Sequence, residues 1–475
     1  MTPIKFGTDG WRAVIADDMT TANVQRVAKA TADWVKKQTN RKPSVIIGHD
    51  CRFAGELFAG TTAQVMADEG IHVYLDTHFA STPMVSLAVA QQEATAGIII
   101  TASHNPPDYN GFKIKAHYGG PATPAMIDEV EQLLPDSYHG HPASIGQYRE
   151  QGMIADIDLE TLYVQLAEAH FDLQAIQESG LHFAFDAMYG TGQNVIKRLL
   201  AKNVDNLRCE YNPSFHGVAP EPIMKNLGDF SRYVHTHDHI AAGLTVDGDA
   251  DRIGLLNGNG DFIDSHHILL ILIQYLSQHK GMDGQVMYTF SCTSRIQQLC
   301  DQYGLPTEVT KIGFKYICDL MQQSDQPTLV GGEESGGIAI RGHIPERDGI
   351  WVGLTIWEFM AKTGKSLDDL IQEVYDQVGA FSVERNDLHI DEALKQETMR
   401  RCQENPFQEI GAYTVTAVED LDGYKFHLGQ ERWVMIRPSG TEPVLRVYAQ
   451  AGSQAEAHKI LQATENAILS GSKAG

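Results

Sequence analysis

The sequence predicts an α/β protein of several domains, and three observations predict it. The chain has 475 residues, too many for one hydrophobic core, which points to three or four domains. Strand-like and helix-like patterns alternate almost throughout. Three segments also follow one plan: an apolar run ends in polar residues, a helical pattern follows, and a second short strand comes next. Pro43–Arg52 (PSVIIGHDCR) leads to a strand from Ile71 (IHVYLD). His182–Gly192 (HFAFDAMYGTG) leads to one from Arg208 (RCEYN), and Gly284–Arg295 (GQVMYTFSCTSR) to one from Pro306 (PTEVT). The repeat is one of pattern, not of identity.

Between and after these units the elements follow in order. Asp136–Gly152 is polar, contains Gly and Pro, and reads as the way out of the first unit. Asn257–Asp264 (NGNGDFID) carries a hairpin signal. The apolar helix HHILLILIQYLSQ opens the third unit, and a helix near Ser366–Val378 closes it. The remainder holds strands at VMIRP and VLRVYAQ and a final amphipathic helix from Ser453 to Leu469.

Composition excludes several classes. A formal charge of −24 argues against nucleic-acid binding, which needs a basic surface. Any phosphate-bearing ligand must therefore meet a local concentration of Arg, Lys or backbone N–H groups. No apolar run approaches the roughly 20 residues that span a bilayer, so no membrane partner is expected. The N-terminus, MTPIKFGTDGWR, lacks the apolar core of a secretory signal, so the expected location is the cytoplasm. The six cysteines are scattered without CxxC pairing and read as reduced thiols.

Ile98–Lys113 reads IIITASHNPPDYNGFK. The isoleucines form a buried strand, and Asn105-Pro106-Pro107 stops it and prevents a helix. Ser103 therefore sits on a loop at a strand's C-terminal end, where α/β proteins place ligands. It is either a turn serine or a nucleophile, and a serine hydroxyl needs a base, metal or positive field to act as one. His104 is adjacent, but neighbouring side chains in a strand point apart.

Thr245–Arg252 reads TVDGDADR. In an extended segment Asp247, Asp249 and Asp251 project to one side. Three close carboxylates repel unless a cation neutralises them, and all-oxygen ligation suits Mg²⁺ or Ca²⁺ rather than zinc. An EF-hand is excluded because its sixth and twelfth positions would be Arg252 and Gly258. The alternative is a solvated acidic turn.

Arg437–Pro443 (RPSGTEP) lies between two strands, with Arg446 on the second. Arg437, Ser439 and Thr441 supply donors, and Gly440 lets backbone N–H groups approach an anion. An ordinary hairpin would look similar. Val309–Tyr316 carries Lys311 and Lys315 around a glycine. Gly331–Gly349 clusters Glu333, Glu334, Ser335, Arg341, His343 and Arg347 among glycines, either to grip sugar hydroxyls or as an exposed polar loop. FGTDGWR adds Arg12 on a Gly-rich loop.

Taken together, TASHNPPDYNGFK, DGDADR, GEESGG and RPSGTEP resemble the phosphoserine, metal, sugar-specificity and phosphate-binding loops of the α-D-phosphohexomutase superfamily, the phosphoglucomutase/phosphomannomutase group. They occur in that family's order, and the resemblance covers nearly the whole chain. It implies four domains around a central cleft, the first three of similar mixed α/β topology and a smaller C-terminal α+β domain. Their implied extents are 1–150 (phosphoserine loop), 151–260 (metal loop), 261–379 (sugar specificity) and 380–475 (phosphate binding).

The resemblance also implies roles. Ser103 would carry the phosphoryl group, and Mg²⁺ would bind it together with Asp247, Asp249 and Asp251. Arg12 and Lys113 would flank the reacting phosphate, with Lys113 a candidate acid/base, His104 supporting the site and Arg252 holding the phosphoserine. Lys311 would reach the sugar or its phosphate, and Glu333 and Ser335 the sugar 3- and 4-hydroxyls. Arg437, Ser439, Gly440 and Thr441 would clamp the phosphate that does not react. Some family members have His two residues after the specificity-loop serine; here Gly337 stands there, and His343 would serve instead.

The implied activity is interconversion of hexose 1- and 6-phosphates through a hexose 1,6-bisphosphate. Glucose is favoured over mannose, with phosphoglucosamine mutase as an alternative. The expected partner is a small phosphosugar and the expected assembly a monomer or homodimer. Two other readings start from the same residues: a haloacid-dehalogenase-type phosphatase using Asp247 as nucleophile, and a non-catalytic phosphosugar-binding protein.

Overall fold

The computed structural model describes residues 4–39, 41–438 and 444–471. The first sheet contains β1 (Trp11–Val14), β2 (Ser44–His49), β3 (His72–Phe79), β4 (Ala96–Ile100), β5 (Tyr109–Ala116) and β6 (Ile154–Ile157), in the order β1-β5-β4-β2-β3-β6. The second contains β7 (His182–Asp186), β8 (Val204–Leu207), β9 (Ile240–Val246), β10 (Ile253–Asn257) and β11 (Phe262–Ile263), in the order β11-β10-β9-β7-β8. The third contains β12 (Gln285–Thr289), β13 (Thr307–Thr310), β14 (Thr328–Gly332) and β15 (Ile338–Ile340), in the order β13-β12-β14-β15.

One four-strand unit recurs in all three. A first strand pairs in parallel with a second on one side and a third on the other, and the third pairs with an antiparallel fourth. Parallel neighbours need helical crossovers, which accounts for the alternating pattern in the sequence. The antiparallel fourth strand needs only a short connection. Those three connections, β4–β5, β9–β10 and β14–β15, are the segments that hold Ser103, the three aspartates and Glu333.

The fourth sheet is antiparallel. It contains β16 (Ser382–His389) and, after a small hairpin of β17 (Glu409–Ile410) and β18 (Tyr413–Thr414), the strands β19 (Ala417–Glu419), β20 (Tyr424–His427), β21 (Trp433–Pro438) and β22 (Val444–Ala451), in the order β16-β22-β21-β20-β19. The helix Gln454–Gly471 packs against it.

Several expectations shift. The second strand of the second unit ends at Leu207 instead of starting at Arg208. Arg208 leaves the strand with a φ of 45°, and its guanidinium turns back onto the buried Asp186 carboxylate. Asp136–Gly152 holds the short helix Ile145–Glu150, capped by Ser144, and the chain after it adds one more strand to the first sheet, β6 beside β3. The first sheet thus runs past residue 150, and β11 extends the second sheet past 260. Both edge strands are too short for their alternation to register in sequence.

One apolar core runs through the first three units, from Ile46 to Phe381. The helix Ser265–Gln274 is apolar all round because it is buried there, capped by Asp264. The helix Gly349–Thr363 belongs to the third unit by sequence yet covers β9 and β10 of the second. A Cβ at Gly353 would stand 2.4 Å from a Leu244 methyl, so only glycine allows this approach. Trp357 on the same helix is fully buried and stacks on Phe183 at 4.5 Å between ring centroids. The fourth unit has its own core. No helix among the described residues is long and apolar enough to cross a membrane, and all six cysteines are unpaired. Trp357→Ala should destabilise the shared core by about 3–5 kcal/mol, read as a lower urea midpoint by circular dichroism.

Candidate active site

The serine loop is shaped by a buried arginine. Arg52, just after β2, donates to four backbone carbonyls: Ser103 and Asn105 at 2.6 Å each, Pro106 at 2.8 Å and Tyr109 at 3.0 Å. These are the carbonyls that two prolines and a turn leave without partners in the sheet. Asp50 is 3.3 Å from the guanidinium and accepts from Thr101, whose hydroxyl in turn accepts from the Ser103 N–H at 2.9 Å. Ser103 is held with φ at 51°, a left-handed conformation rare for serine. This breaks the strand alternation, so Ser103 and His104 do not point apart: Ser103 Oγ lies 3.3 Å from His104 Nδ1. Burial, and then the charges of Arg252 and Arg12, holds His104 well below the ordinary imidazole range, so it is neutral.

Ser103 Oγ donates to Asp247 Oδ2 at 2.6 Å. The three aspartates do meet, but not by lying on one extended strand. β9 stops at Val246, and the loop turns through Ala250 at a φ of 56°, closed by the Ala250 N–H on the Asp247 carbonyl. Gly248 permits the contact with the serine loop, since a Cβ there would lie 2.5 Å from the Ser103 carbonyl. Asp247, Asp249 and Asp251 are fully buried and offer one oxygen each within 4.8 Å of one another. The alternative of a solvated acidic turn is therefore excluded.

The residues present fit a hard divalent cation. Asp249 Oδ2 accepts from Thr82 at 2.6 Å and from Lys113 at 2.7 Å, and Asp251 Oδ2 accepts from Lys113 at 3.0 Å. The other oxygens, Asp249 Oδ1 and Asp251 Oδ1, are buried with no hydrogen-bond partner. Buried carboxylate oxygens left bare carry a large desolvation cost. An octahedral Mg²⁺, which takes oxygen ligands and keeps open positions, matches this donor set. Burial and the charges of Asp249 and Asp251 push the Asp247 carboxyl well above the usual carboxylate range.

Two cations from outside the loop complete the site. Burial alone would lower Lys113, but Asp249, Asp251 and Asp9 outweigh it and hold the ammonium well above the ordinary lysine range. Arg347 bridges Asp9 at 2.6 Å and Asp251 at 2.8 Å. Arg12, on β1, donates to Asn105 Oδ1 at 2.6 Å and so stands at the serine loop. The Arg252 backbone N–H donates to Asp247 Oδ1 at 3.0 Å.

The specificity segment is a tight turn between β14 and β15, not an exposed polar loop. Its Gly336 carbonyl accepts from the Ile253 N–H at 3.0 Å, next to the aspartate loop. Glu333 is buried and is pushed up to about 7, chiefly by burial, with Arg347 opposing and Glu334 adding to the rise. Ser335 is half-buried at the turn. Gly337 has a physical reason: a Cβ there would lie 2.5 Å from Arg347 Cδ. His343 does not fill the gap. Its ring is buried, stacked on Trp351 at 3.8 Å and bonded to Asp348 at 2.9 Å, so it braces the fold instead of facing a sugar.

Lys311 is exposed where the third unit meets the fourth. The next N–H, of Ile312, donates to Asp422, and Asp422 pairs with Arg437 at 3.1 Å. Arg437 lies directly opposite Arg446 on the neighbouring strand. Like charges so placed repel unless an anion joins them. Ser439, Gly440 and Thr441 lie outside the described residues.

Sequence reasoning missed Arg52, Asp50, Thr82 and Asp9, and it placed Arg347 in the Gly331–Gly349 cluster without its partners Asp9 and Asp251. Asp9 sits inside a quoted motif, FGTDGWR, but its charge gave no hint of the partner. Arg52 followed an apolar run, and a buried strand's end was its only signal.

Profiles of the phosphoglucomutase/phosphomannomutase family match four segments: α/β/α domain I at 3–139, domain II at 161–260, domain III at 264–378 and the C-terminal domain at 391–467. The fold and site thus define a member of the α-D-phosphohexomutase superfamily, whose enzymes are mutases that transfer phosphoryl groups. The chain belongs to the phosphoglucomutase/phosphomannomutase family. It is 26% identical over 462 residues to a phosphoglucomutase/phosphomannomutase of Thermococcus kodakarensis, covering 96% of each chain. It is 28% identical over 476 residues to a phosphoglucosamine mutase of an Exiguobacterium species, again covering 96% of each. A crystal structure from Thermus thermophilus, assigned as a phosphomannomutase, superposes with a TM-score of 0.86 at 32% identity, covering 98% of this chain and 99% of that one.

Two outcomes follow from the geometry. Arg52→Met should slow turnover by about 100-fold or more by loosening the serine loop, and lower stability by about 3–5 kcal/mol because Asp50 is left unpaired. Arg52→Lys should not restore turnover, because an ammonium cannot span four carbonyls. Stripping divalent cations should abolish turnover. Restoring Mg²⁺ to about 100 times its Kd should stabilise the protein by about 2.7 kcal/mol, read as a rise in melting temperature.

Proposed function

We propose that the protein interconverts hexose 1-phosphate and hexose 6-phosphate, with glucose as the favoured sugar, through phosphorylated Ser103 and a 1,6-bisphosphate. The observation that carries this is the Ser103 Oγ–Asp247 contact of 2.6 Å, beside two carboxylate oxygens that have no partner. Phosphoryl transfer depends on in-line placement and charge neutralisation more than on covalent work by the protein. A Mg²⁺ held by Asp247, Asp249, Asp251 and Ser103 would supply part of that neutralisation. Lys113, Arg12 and Arg347 contribute fixed positive charge around the same point. Neutral His104 beside Ser103 Oγ is placed to orient the hydroxyl.

The chemistry balances without another reactant. The phosphoryl group leaves Ser103 Oγ for the free hydroxyl of a hexose monophosphate, and the proton that hydroxyl loses passes through the site to Ser103 Oγ, giving the bisphosphate and a free serine. The bisphosphate reorients, Ser103 accepts the other phosphoryl group, and the isomeric monophosphate departs. In this reading Arg437 and Arg446, two cations opposite one another on neighbouring strands, would hold the phosphate that is not reacting, with Ser439, Gly440 and Thr441 as its further donors. Glu333, near half protonation at neutral pH, can both donate to and accept from sugar hydroxyls, with Ser335 beside it and Lys311 reaching from the third unit.

Several relatives are named phosphoglucosamine mutase, which keeps glucosamine phosphate as a second reading. Against it, Arg347 fills the space over Gly337, and a partly protonated Glu333 gives little attraction to a sugar ammonium. The phosphatase alternative finds no support in the geometry: both Asp247 oxygens are engaged, by Ser103 and by the Arg252 N–H.

Intact-protein mass spectrometry should find about 80 Da on the peptide carrying Ser103, the mass of one phosphoryl group. Ser103→Ala should lower kcat at least about 10⁴-fold. Near-normal turnover in that variant would overturn the reading. A panel of glucose, mannose and glucosamine 1-phosphates, with the matching bisphosphate, should rank glucose first by kcat/KM.

A further inference from the structure

The second sheet carries an unassigned cluster at the end opposite the aspartate loop. His182 is the first residue of β7, Asp205 the second of β8, and His239 directly precedes β9. Since β9, β7 and β8 are neighbours in the sheet, three adjacent strand starts bring their side chains together. His182 Nε2 lies 2.9 Å from Asp205 Oδ1, and His239 Nε2 lies 3.4 Å from Asp205 Oδ2. The two imidazoles are 4.8 Å apart between centroids. All three residues offer a ligand atom within 4.8 Å of the others.

We propose that His182, Asp205 and His239 form a binding site for one divalent transition-metal ion of the zinc, cobalt or nickel type. Two imidazole nitrogens and one carboxylate oxygen are the donor set such ions prefer, and two nitrogen ligands exclude Mg²⁺ and Ca²⁺. A tetrahedral ion with bonds of about 2.0–2.2 Å keeps its ligand atoms about 3.3 Å apart. The observed contacts, 2.9 Å to Asp205 Oδ1 and 3.4 Å to Asp205 Oδ2, run to different oxygens, and one ligand atom from each residue lies within 4.8 Å of the others, so small side-chain rotations would close the set on one ion.

The surroundings support ligation. The Tyr233 hydroxyl donates to Asp205 Oδ2 at 3.0 Å and fixes the carboxylate, as outer partners of metal ligands do. Tyr233 is itself stacked on His237, at 4.0 Å between centroids. The side chains of His182, Asp205 and His239 are 28%, 31% and 53% exposed, which leaves an entry path and room for a water as fourth ligand. The ion would replace the proton that each imidazole nitrogen shares with Asp205, so binding releases protons and weakens in acid. Bound there, it would staple the starts of three parallel strands, the last of which delivers Asp247.

The test uses full-length protein without a polyhistidine tag, in saturating Mg²⁺. Co²⁺ titration followed by its visible d–d absorption should show one equivalent bound at this site, displaced by Zn²⁺. His182→Gln/His239→Gln should weaken that binding by at least about tenfold, and remove the melting-temperature rise that Zn²⁺ gives the wild type, with mutase turnover unchanged. His239→Gln alone, on a half-exposed side chain, gives the same answer if the double variant does not fold. Equal Co²⁺ binding in wild type and variants, or no absorption band at one equivalent, would overturn the proposal.

Discussion

The structure turns on one electrostatic constraint: three fully buried carboxylates must be kept together. Asp247, Asp249 and Asp251 come from the second unit, but the charges that balance them come from the others. Lys113 arrives from the first unit and Arg347 from the third, and Asp9 ties these two cations to each other. A buried ion network of this kind adds little net stability, yet breaking one member is costly. Its value lies in specificity of arrangement. With the three units docked the charges close, and Ser103 stands against Asp247. A second buried pair, Lys115 with Glu346, repeats the first-to-third link close by on the same two segments.

This also reconciles a formal charge of −24 with a site for phosphate esters. The acidic residues are mostly spread over the surface, while Arg52, Lys113, Lys115 and Arg347 are buried near the serine and aspartate loops. Inside a low-dielectric interior each charge acts more strongly than at the surface. Each of these cations is already paired with a buried carboxylate, so in the proposed reaction a phosphate would depend on Arg12 and on an ion held by the three aspartates for its neutralisation.

Local features of the site were legible in the sequence. Proline chemistry placed Ser103 on a loop, and the spacing of three aspartates brought their carboxylates together, as they are in the structure. The recurring unit was visible as a strand–helix–strand pattern. What could not be read was anything that depends on which distant segment arrives. Arg52 looks like a surface residue after a strand, yet it holds the serine loop by four carbonyls. His343 sits among polar glycine-rich residues, yet Trp351 from the following helix buries it. The edge strand β6 is four residues long, too short to announce itself, so the first unit extended further than its sequence pattern. The turn through Ala250 was equally hidden, because alternation in sequence is compatible with an extended strand or a bend.

The three catalytic segments occupy the same architectural socket, the step from the third parallel strand to its antiparallel neighbour. One backbone solution therefore houses Ser103 in one copy, the three buried aspartates in the next and Glu333 in the third. The three steps also meet one another, since Ser103 Oγ donates to Asp247 and the Gly336 carbonyl accepts from the Ile253 N–H, so a change in one is felt by its counterparts.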